Sequence, residues 1–154
     1  MNKYLKKFTK DKFRVAGKAL DLGAGEFPDV SGLKQMGWFC EGVDLKTGFN
    51  LEQKFKSENA PFDLVYSNYL FQKINNRVQF IETVYSNLKP GGWFFLHTFD
   101  ISDQQSNSSL TDKVLEKLLI KKGFKNISVR KFDLYDEDPG HSHWHKILEV
   151  TAQK

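Results

Sequence analysis

Four short apolar runs constrain the fold of this chain most strongly. They span residues 19–22, 38–43, 62–66 and 93–99. Runs of this length without polar alternation are typical of strands that are buried on both faces, as the strands of a parallel sheet are. Strands that alternate with helices predict an α/β fold with a doubly wound sheet. Such sheets bind their ligands at the carboxyl ends of the parallel strands.

Two segments show the helical periodicity that this fold requires. Apolar residues recur at three- and four-residue steps over residues 78–88 and again over residues 110–119. A capping-box pattern from Ser109 to Asp112 predicts where the second helix starts, and Gly123 is placed to end it.

The end of the chain changes character after this helix. Residues 127–132 and 144–150 carry strand patterns on either side of a turn at 136–140, which predicts an antiparallel β-hairpin. Together these elements predict one domain over residues 1–154, which begins with a short basic helix within residues 1–16.

Composition limits the classes of partner. The 154 residues are 40% hydrophobic, which suits one globular core, and the net charge of +4 is too mild to predict a nucleic-acid partner. The chain contains no apolar stretch long enough to span a membrane, and Cys40 is its single cysteine. We therefore expect no membrane partner, no disulfide, no metal centre and a cytoplasmic location.

The first apolar run ends in a glycine-rich turn, Gly23-Ala24-Gly25. Glycine permits a positive φ in a tight turn and lets a ligand approach the backbone closely. Asp44 ends the second run, at the spacing from which a carboxylate can accept hydrogen bonds from the hydroxyls of a ribose. The turn and this acid together predict a nucleoside site. An ordinary strand–helix turn and a helix-capping role for Asp44 are the structural alternatives.

The surroundings of the turn disfavour a dinucleotide. Phe27 occupies the position of a third glycine, and Pro28 removes a backbone donor that a diphosphate would use. Asp21 and Glu26 would repel a diphosphate but attract a nucleoside that carries an ammonium and a sulfonium.

These motifs resemble those of the class I S-adenosylmethionine-dependent methyltransferases, and the small type 11-like domains in particular. Asp21-x-Gly23-x-Gly25 resembles the first motif of that family, and Asp44 is similar to its ribose-binding acid. Residues 62–68 resemble the fourth-strand motif, and residues 88–92 resemble the turn into the fifth strand. The resemblance implies a seven-strand-type, Rossmann-like sheet of reduced size and S-adenosyl-L-methionine as cofactor. The cofactor-binding residues that it implies are Asp21, Leu22, Gly23, Ala24, Gly25, Asp44, Leu45, Asn50, Ser67 and Asn68.

The chain departs from the family pattern between Asp44 and Phe62. The family usually has a full helix and a third strand there, but only a fragment fits into this segment. Asn50 takes the place where an acid often accepts a hydrogen bond from the adenine amino group. A substrate lid is nearly absent, so the pocket is expected to be open, or closed by the 102–109 loop or by a second copy in a homodimer.

The resemblance implies methyl transfer, and the acceptor is expected to be a small molecule. Asn68 and Tyr69 follow Ser67 here and do not form the Asn-Pro-Pro-Tyr pattern of enzymes that methylate nucleic-acid bases. Two alternatives remain open. One is a non-catalytic protein that binds the cofactor as a sensor or partner subunit, and the other is a nucleotide-dependent oxidoreductase.

Three of the four histidines lie at alternate positions, as His141, His143 and His145. On a strand these side chains share one face. A structural cluster, a metal site and a proton-accepting patch are the three interpretations. The 13 Å that separate the outer two on a strand, about 6.5 Å for every second residue, disfavour a shared metal ion. We predict His143 as the catalytic proton acceptor, with Asp100 after the last apolar run as a second candidate.

Overall fold

A computed structural model describes residues 1–136 and 142–154 of the chain. The sequence alternates between strands and helices as expected. The helices are α1 Lys3–Lys12, α2 Pro28–Gln35, α3 Arg77–Asn87 and α4 Asp112–Lys122. The strands are β1 Lys18–Leu22, β2 Phe39–Val43, β3 Phe62–Asn68, β4 Leu88–Phe99, β5 Lys125–Asp136 and β6 His143–Gln153.

The strands form one six-stranded sheet in the order β2-β1-β3-β4-β6-β5. Neighbours among the first four strands of that order are parallel, and β6 runs antiparallel to both β4 and β5. The predicted fold class, a mostly parallel α/β sheet with a C-terminal antiparallel hairpin, is confirmed. Because β5 runs parallel to β4, the carboxyl end of β5 and the start of β6 lie at the ligand-binding edge.

Helices cover both faces of the sheet. The buried residues of α1 and α2 pack on one face in a cluster that contains Leu5 and Leu33. Those of α3 and α4 pack on the other face in a second cluster that contains Phe80 and Leu119. Burial on two faces explains why the parallel strands are mainly apolar.

Two details of the chain differ from, or sharpen, the sequence-based expectation. Residues 44–61, all of which are described, hold a 3-10 turn at Leu45–Thr47 and no strand, so the third strand of the family pattern is missing. The predicted capping box was wrong, because α4 is capped by Thr111, whose side chain accepts a hydrogen bond from the Val114 N–H. The Ser109 hydroxyl instead accepts a hydrogen bond from Arg77 on α3.

Candidate active site

The glycine turn joins β1 to α2 at the ligand-binding edge of the sheet. Gly23 and Gly25 have φ angles of 93° and 54°, and the Gly23 and Ala24 N–H groups both donate to the Val43 carbonyl. A Cβ at Gly23 would lie 2.5 Å from the side chain of Leu70, whereas a Cβ at Gly25 would meet nothing within 4 Å. The turn therefore requires glycine geometry, and its second glycine faces open space.

The start of α2 carries the features that argued against a dinucleotide. Phe27 takes the left-handed conformation, with a φ of 61°, and Pro28 occupies the first turn of the helix. The residue at the third-glycine position thus reproduces the backbone angle of a glycine while its side chain packs in the core cluster beside α2.

Two cavities flank the turn, and Gly23 and Gly25 line both of them. One has a volume of about 510 Å³ and the other about 460 Å³. Residues of β1, β3, the start of α2 and the N-terminal segment line the larger cavity, among them Asp21, Asp29 and Asn68. The second cavity lies beyond the end of β2. The two cavities therefore form one elongated groove across the carboxyl ends of the strands.

Asp44, Leu45 and Asn50 line the second cavity, as a nucleoside site requires. The Asp44 carboxylate accepts hydrogen bonds from the Gly25 N–H at 3.1 Å and from the Lys46 N–H at 3.0 Å. The helix-capping alternative for Asp44 is thus part of the structure, and the same carboxylate borders the cavity. Leu45 is 73% exposed, and such an apolar side chain at the cavity wall can pack against a flat base.

Acidic groups form the floor of the larger cavity. Asp21 is only 2% exposed, and its burial, followed by the nearby charge of Asp29, raises its pKa well above the ordinary value, although the Tyr66 hydroxyl lowers it. The Asp29 carboxylate accepts hydrogen bonds from the Asn2 N–H at 2.6 Å and from the Asn68 side-chain amide at 2.8 Å. Such a floor suits a ligand that carries positive charge.

Asn68 has one atom that the protein leaves unsatisfied. Its Nδ2 donates to Asp29, but its buried Oδ1 has no hydrogen-bond partner among the described residues. Buried polar atoms are almost always paired, so this acceptor beside the larger cavity has a hydrogen bond still to accept.

Two of the residues implied by the resemblance are not among those that line the two cavities of the groove. Ser67 and Leu22 are fully buried, and the Ser67 hydroxyl donates to the Leu22 carbonyl at 2.7 Å. This bond ties the end of β3 to the end of β1 directly below the glycine turn. Conversely, sequence reasoning did not assign Asp29, although its position after Pro28 at a helix start was visible.

A third cavity of about 290 Å³ continues from the first and shares Tyr69 and Leu134 with it. Its other walls are supplied by β4, β5 and β6, and they are Phe99, Tyr135, Asp136, His145 and Ile147. Aromatic rings dominate this lining. The end of the terminal hairpin therefore stands beside the larger cavity, as expected from the direction of β5.

The predicted catalytic residues lie near this third cavity. His143 begins β6, and its ring centroid is 4.5 Å from that of His145, which lines the cavity. The His145 Nδ1 lies 3.1 Å from an Asp103 carboxylate oxygen. His141 lies outside the described residues.

Asp100 is engaged by neighbouring side chains. Lys131 on β5 lies 2.6 Å from its carboxylate, which also accepts a hydrogen bond from the Ser102 N–H. Burial raises the pKa of Asp100, but Lys131 and Ser102 outweigh it and hold that pKa below its ordinary value. Among the described residues, those that line the three cavities do not include Asp100 or His143.

A family model described as a methyltransferase domain matches residues 1–146. The chain belongs to this methyltransferase family. The sequence-based assignment to the class I S-adenosylmethionine-dependent methyltransferases, with S-adenosylmethionine as the cofactor, is therefore confirmed. No curated protein matches the chain by sequence.

Solved structures share the fold at low sequence identity. A methyltransferase from Archaeoglobus fulgidus has a TM-score of 0.74 and 14% identity, over 98% of this chain and 91% of its own. The Burkholderia thailandensis 1,6-didemethyltoxoflavin-N1-methyltransferase has a TM-score of 0.75 and 18% identity, over 99% of this chain and 77% of its own. A Haemonchus contortus phosphoethanolamine N-methyltransferase has a TM-score of 0.75 and 15% identity, over 97% of this chain and 52% of its own.

Within residues 1–136 and 142–154, each helix is too short or too polar to cross a bilayer.

Proposed function

We propose that this methyltransferase binds S-adenosylmethionine across the two cavities that meet at the glycine turn and methylates a small molecule held beside Tyr69. The observation that carries the proposal is the groove itself. Its two halves join at Gly23 and Gly25, with the nucleoside-type acid Asp44 in one half and a buried acidic floor in the other.

The two halves of the groove would bind different parts of the cofactor. Asp44 would accept hydrogen bonds from the ribose, Leu45 would pack on the adenine, and Asn50 would accept from its amino group. Asp21 and Asn68 would face the methionine part, since the unpaired Oδ1 of Asn68 suits an ammonium donor. Leu22, Ser67 and Ala24 hold the ends of the strands and the turn in place.

When bound, the cofactor supplies a methyl group carried on a sulfonium. A lone pair of the acceptor attacks that methyl carbon in line, and the sulfur leaves as a neutral thioether. The residues of the chain must align the acceptor with that methyl group, exclude water and accept a proton where the acceptor loses one. The aromatic third cavity adjoins the larger cavity at Tyr69 and Leu134, so it is the natural site for the acceptor.

The size of this third cavity supports a small acceptor. A volume of about 290 Å³ is at the low end of ordinary ligand pockets. Two proteins of the same fold also act on small molecules by their names, one on 1,6-didemethyltoxoflavin and one on phosphoethanolamine.

His143, next to the cavity-lining His145, stays our sequence-based prediction for the proton acceptor, and Asp100 stays the second. A cytoplasmic location and a homodimer that covers the open groove also stay predictions.

Calorimetric titration and methyl transfer test the proposal separately. S-adenosylmethionine and S-adenosylhomocysteine should bind the full chain, and NADH should not. Labelled methyl groups should then pass from S-adenosylmethionine to a compound in the small-molecule fraction of a cell lysate. Tight binding without transfer would favour the non-catalytic sensor or partner subunit. NADH binding would instead favour the oxidoreductase.

A further inference from the structure

The fourth histidine, His97, is buried, and the proposed function gives it no role. It lies in β4 between Leu96 and Thr98 and is completely buried. Its Nε2 lies 2.9 Å from a carboxylate oxygen of Glu149 on β6, directly opposite in the sheet register. Its Nδ1 faces Asn2 and Tyr69, which line the larger cavity.

Two donors meet the Nδ1 of His97. The side-chain amide nitrogen of Asn2 lies 3.2 Å away and the Tyr69 hydroxyl 3.4 Å away. The orientation of the Asn2 amide is fixed, because its oxygen accepts the Tyr4 and Leu5 N–H groups at the start of α1. An amide nitrogen can only donate, so Nδ1 is the acceptor and the ring proton sits on Nε2.

Glu149 completes this assignment from the other side. Burial raises its pKa, but the hydrogen bond from His97, together with the charge of Arg130, holds the pKa below the ordinary value. An ionised carboxylate only accepts hydrogen bonds, so the Nε2 proton points to Glu149. The carboxylate also stands ready to stabilise a second proton on the imidazole, as a carboxylate beside a catalytic histidine does.

Among Tyr69, His97 and Glu149, Tyr69 is the residue that borders the cavities. It lines both the larger cavity and the aromatic third cavity, so its side chain stands where cofactor and acceptor would meet. Its backbone has a φ of 59°, an uncommon left-handed conformation for a tyrosine, and its N–H donates to the His97 carbonyl at 2.8 Å. Backbone strain of this kind is concentrated at functional sites.

Burial, followed by the charges of neighbouring groups, raises the pKa of Tyr69 to about 12. The phenol therefore keeps its proton near neutral pH and cannot accept another unless it passes its own onward. The Nδ1 of His97 has one lone pair and lies 3.4 Å from the Tyr69 oxygen, so it receives that proton when Tyr69 takes the place of the Asn2 amide as its donor.

We propose that Tyr69, His97 and Glu149 form a proton relay for methyl transfer, in which Tyr69 is the catalytic residue and the other two act through it. This inference rests on the proposed function, but it assigns the proton acceptor to Tyr69 in place of His143. As the acceptor attacks the methyl carbon, its proton passes to the Tyr69 oxygen, the Tyr69 proton passes to Nδ1 of His97, and Glu149 stabilises the imidazolium. The carbon–sulfur bond breaks at the same time and its electron pair leaves with the thioether. The relay proton returns to solvent after the product leaves.

The surroundings of His97 support a relay better than a purely structural contact. Tyr4, Phe95 and Phe132 pack their rings around the imidazole, with centroid distances of 5.2, 4.9 and 5.9 Å. In the neutral tautomer assigned above, a hydrogen bond and not an ion pair joins His97 to Glu149. Here the pair ends in the cavity at Tyr69.

Charged groups lie at both ends of the relay. Asp29 and Asp136 act on Tyr69 as negative charges, and Arg130 pairs with the far oxygen of Glu149 at 3.0 Å. The negative charges oppose a phenolate, so a concerted handover to His97 is preferred to a separately formed phenolate. Tyr69 also lines two cavities, whereas His143 lines none of the three at this site.

The test compares variants of the full chain. The probe is the small-molecule fraction of a cell lysate, supplied with S-adenosylmethionine that carries a labelled methyl group. Tyr69→Phe keeps the ring and removes the hydroxyl, and Tyr85→Phe is the matched control, since Tyr85 packs on Phe124 away from the site. We expect Tyr69→Phe to slow transfer by about 100-fold or more, the usual range for a proton-transfer group, and to leave S-adenosylhomocysteine affinity unchanged. Tyr85→Phe should match the wild type.

The pH–rate profile of Glu149→Gln distinguishes the relay from a purely structural role of Glu149. The imidazolium loses its carboxylate partner, so the acid limb of the pH–rate profile should shift to lower pH while the plateau falls. Full transfer by Tyr69→Phe, an unmoved acid limb in Glu149→Gln, or loss of transfer in His143→Ala alone would each overturn the relay. Failure of the wild type to methylate anything would instead overturn the proposed function.

Discussion

The Gly25 N–H donates a hydrogen bond of 3.1 Å to the Asp44 carboxylate and so links the glycine turn after β1 to the end of β2. This contact places the acid at the boundary between the two halves of the groove. Asp44 also has a structural role that needs no cofactor, because its carboxylate caps the 3-10 turn at Leu45–Thr47.

We predict that Asp44→Ala weakens S-adenosylhomocysteine binding by roughly 10- to 150-fold, which corresponds to about 1.5–3 kcal/mol for hydrogen bonds to a charged group. Calorimetric titration of both proteins measures the difference. Thr47→Ala is the control, because it removes the partner of Asp44 in the capping box and leaves the carboxylate in place. Equal losses in the two variants would assign the effect to the cap.

A second prediction separates cofactor space from backbone strain. Gly25 and Gly48 both have positive φ angles, 54° and 90°, and a Cβ at either would meet nothing within 4 Å. Only Gly25 lines the groove. Alanine at either position should cost about 1–2 kcal/mol of stability, because the left-handed conformation crowds a Cβ. Gly25→Ala should also lose cofactor affinity in calorimetry, and a similar loss in Gly48→Ala would contradict the placement of the cofactor.

The parts of the site that the sequence predicts are those whose chemistry is local. The turn at Gly23 and Gly25 follows directly from a buried strand, and Asp44 ends the next one, so topology alone brings them to one edge. The missing third strand was visible as well, since residues 44–61 lack a continuous apolar run.

The relay could not be predicted, because its members meet only through the sheet register. His97 is one polar residue inside an apolar strand, and its partner Glu149 lies 52 positions away on a strand whose pairing the sequence does not fix. The wrong start of α4 has a similar cause. Ser109 fits a capping box by spacing, but its hydroxyl pairs with Arg77 on another helix, and Thr111 caps instead.

Cys40 is predicted to be unreactive in the folded protein. Its side chain is 3% exposed, and burial raises the pKa of its thiol to about 12, so the thiolate is scarce at neutral pH. Iodoacetamide should leave the native chain unmodified at pH 8 and should label it once after unfolding, because the chain has one cysteine. Mass spectrometry counts the label. Rapid labelling of the native protein would show that β2 opens readily.

The last prediction concerns Asp21, whose raised pKa acts on both stability and binding. A carboxyl group with a raised folded-state pKa contributes stability that is fully present below its unfolded pKa of about 4 and is lost as the pH rises through the folded value. Asp21→Asn cannot ionise, so the cofactor-free variant should unfold at a higher temperature than the wild type at pH 7. The variant should bind S-adenosylmethionine more weakly, since the positive sulfonium loses its acidic floor. Wild-type affinity should rise with pH, and rise more for S-adenosylmethionine than for the uncharged thioether of S-adenosylhomocysteine, whereas Asp21→Asn should lose that difference. Equal pH dependence in both proteins, measured by calorimetry, would place Asp21 away from the sulfonium.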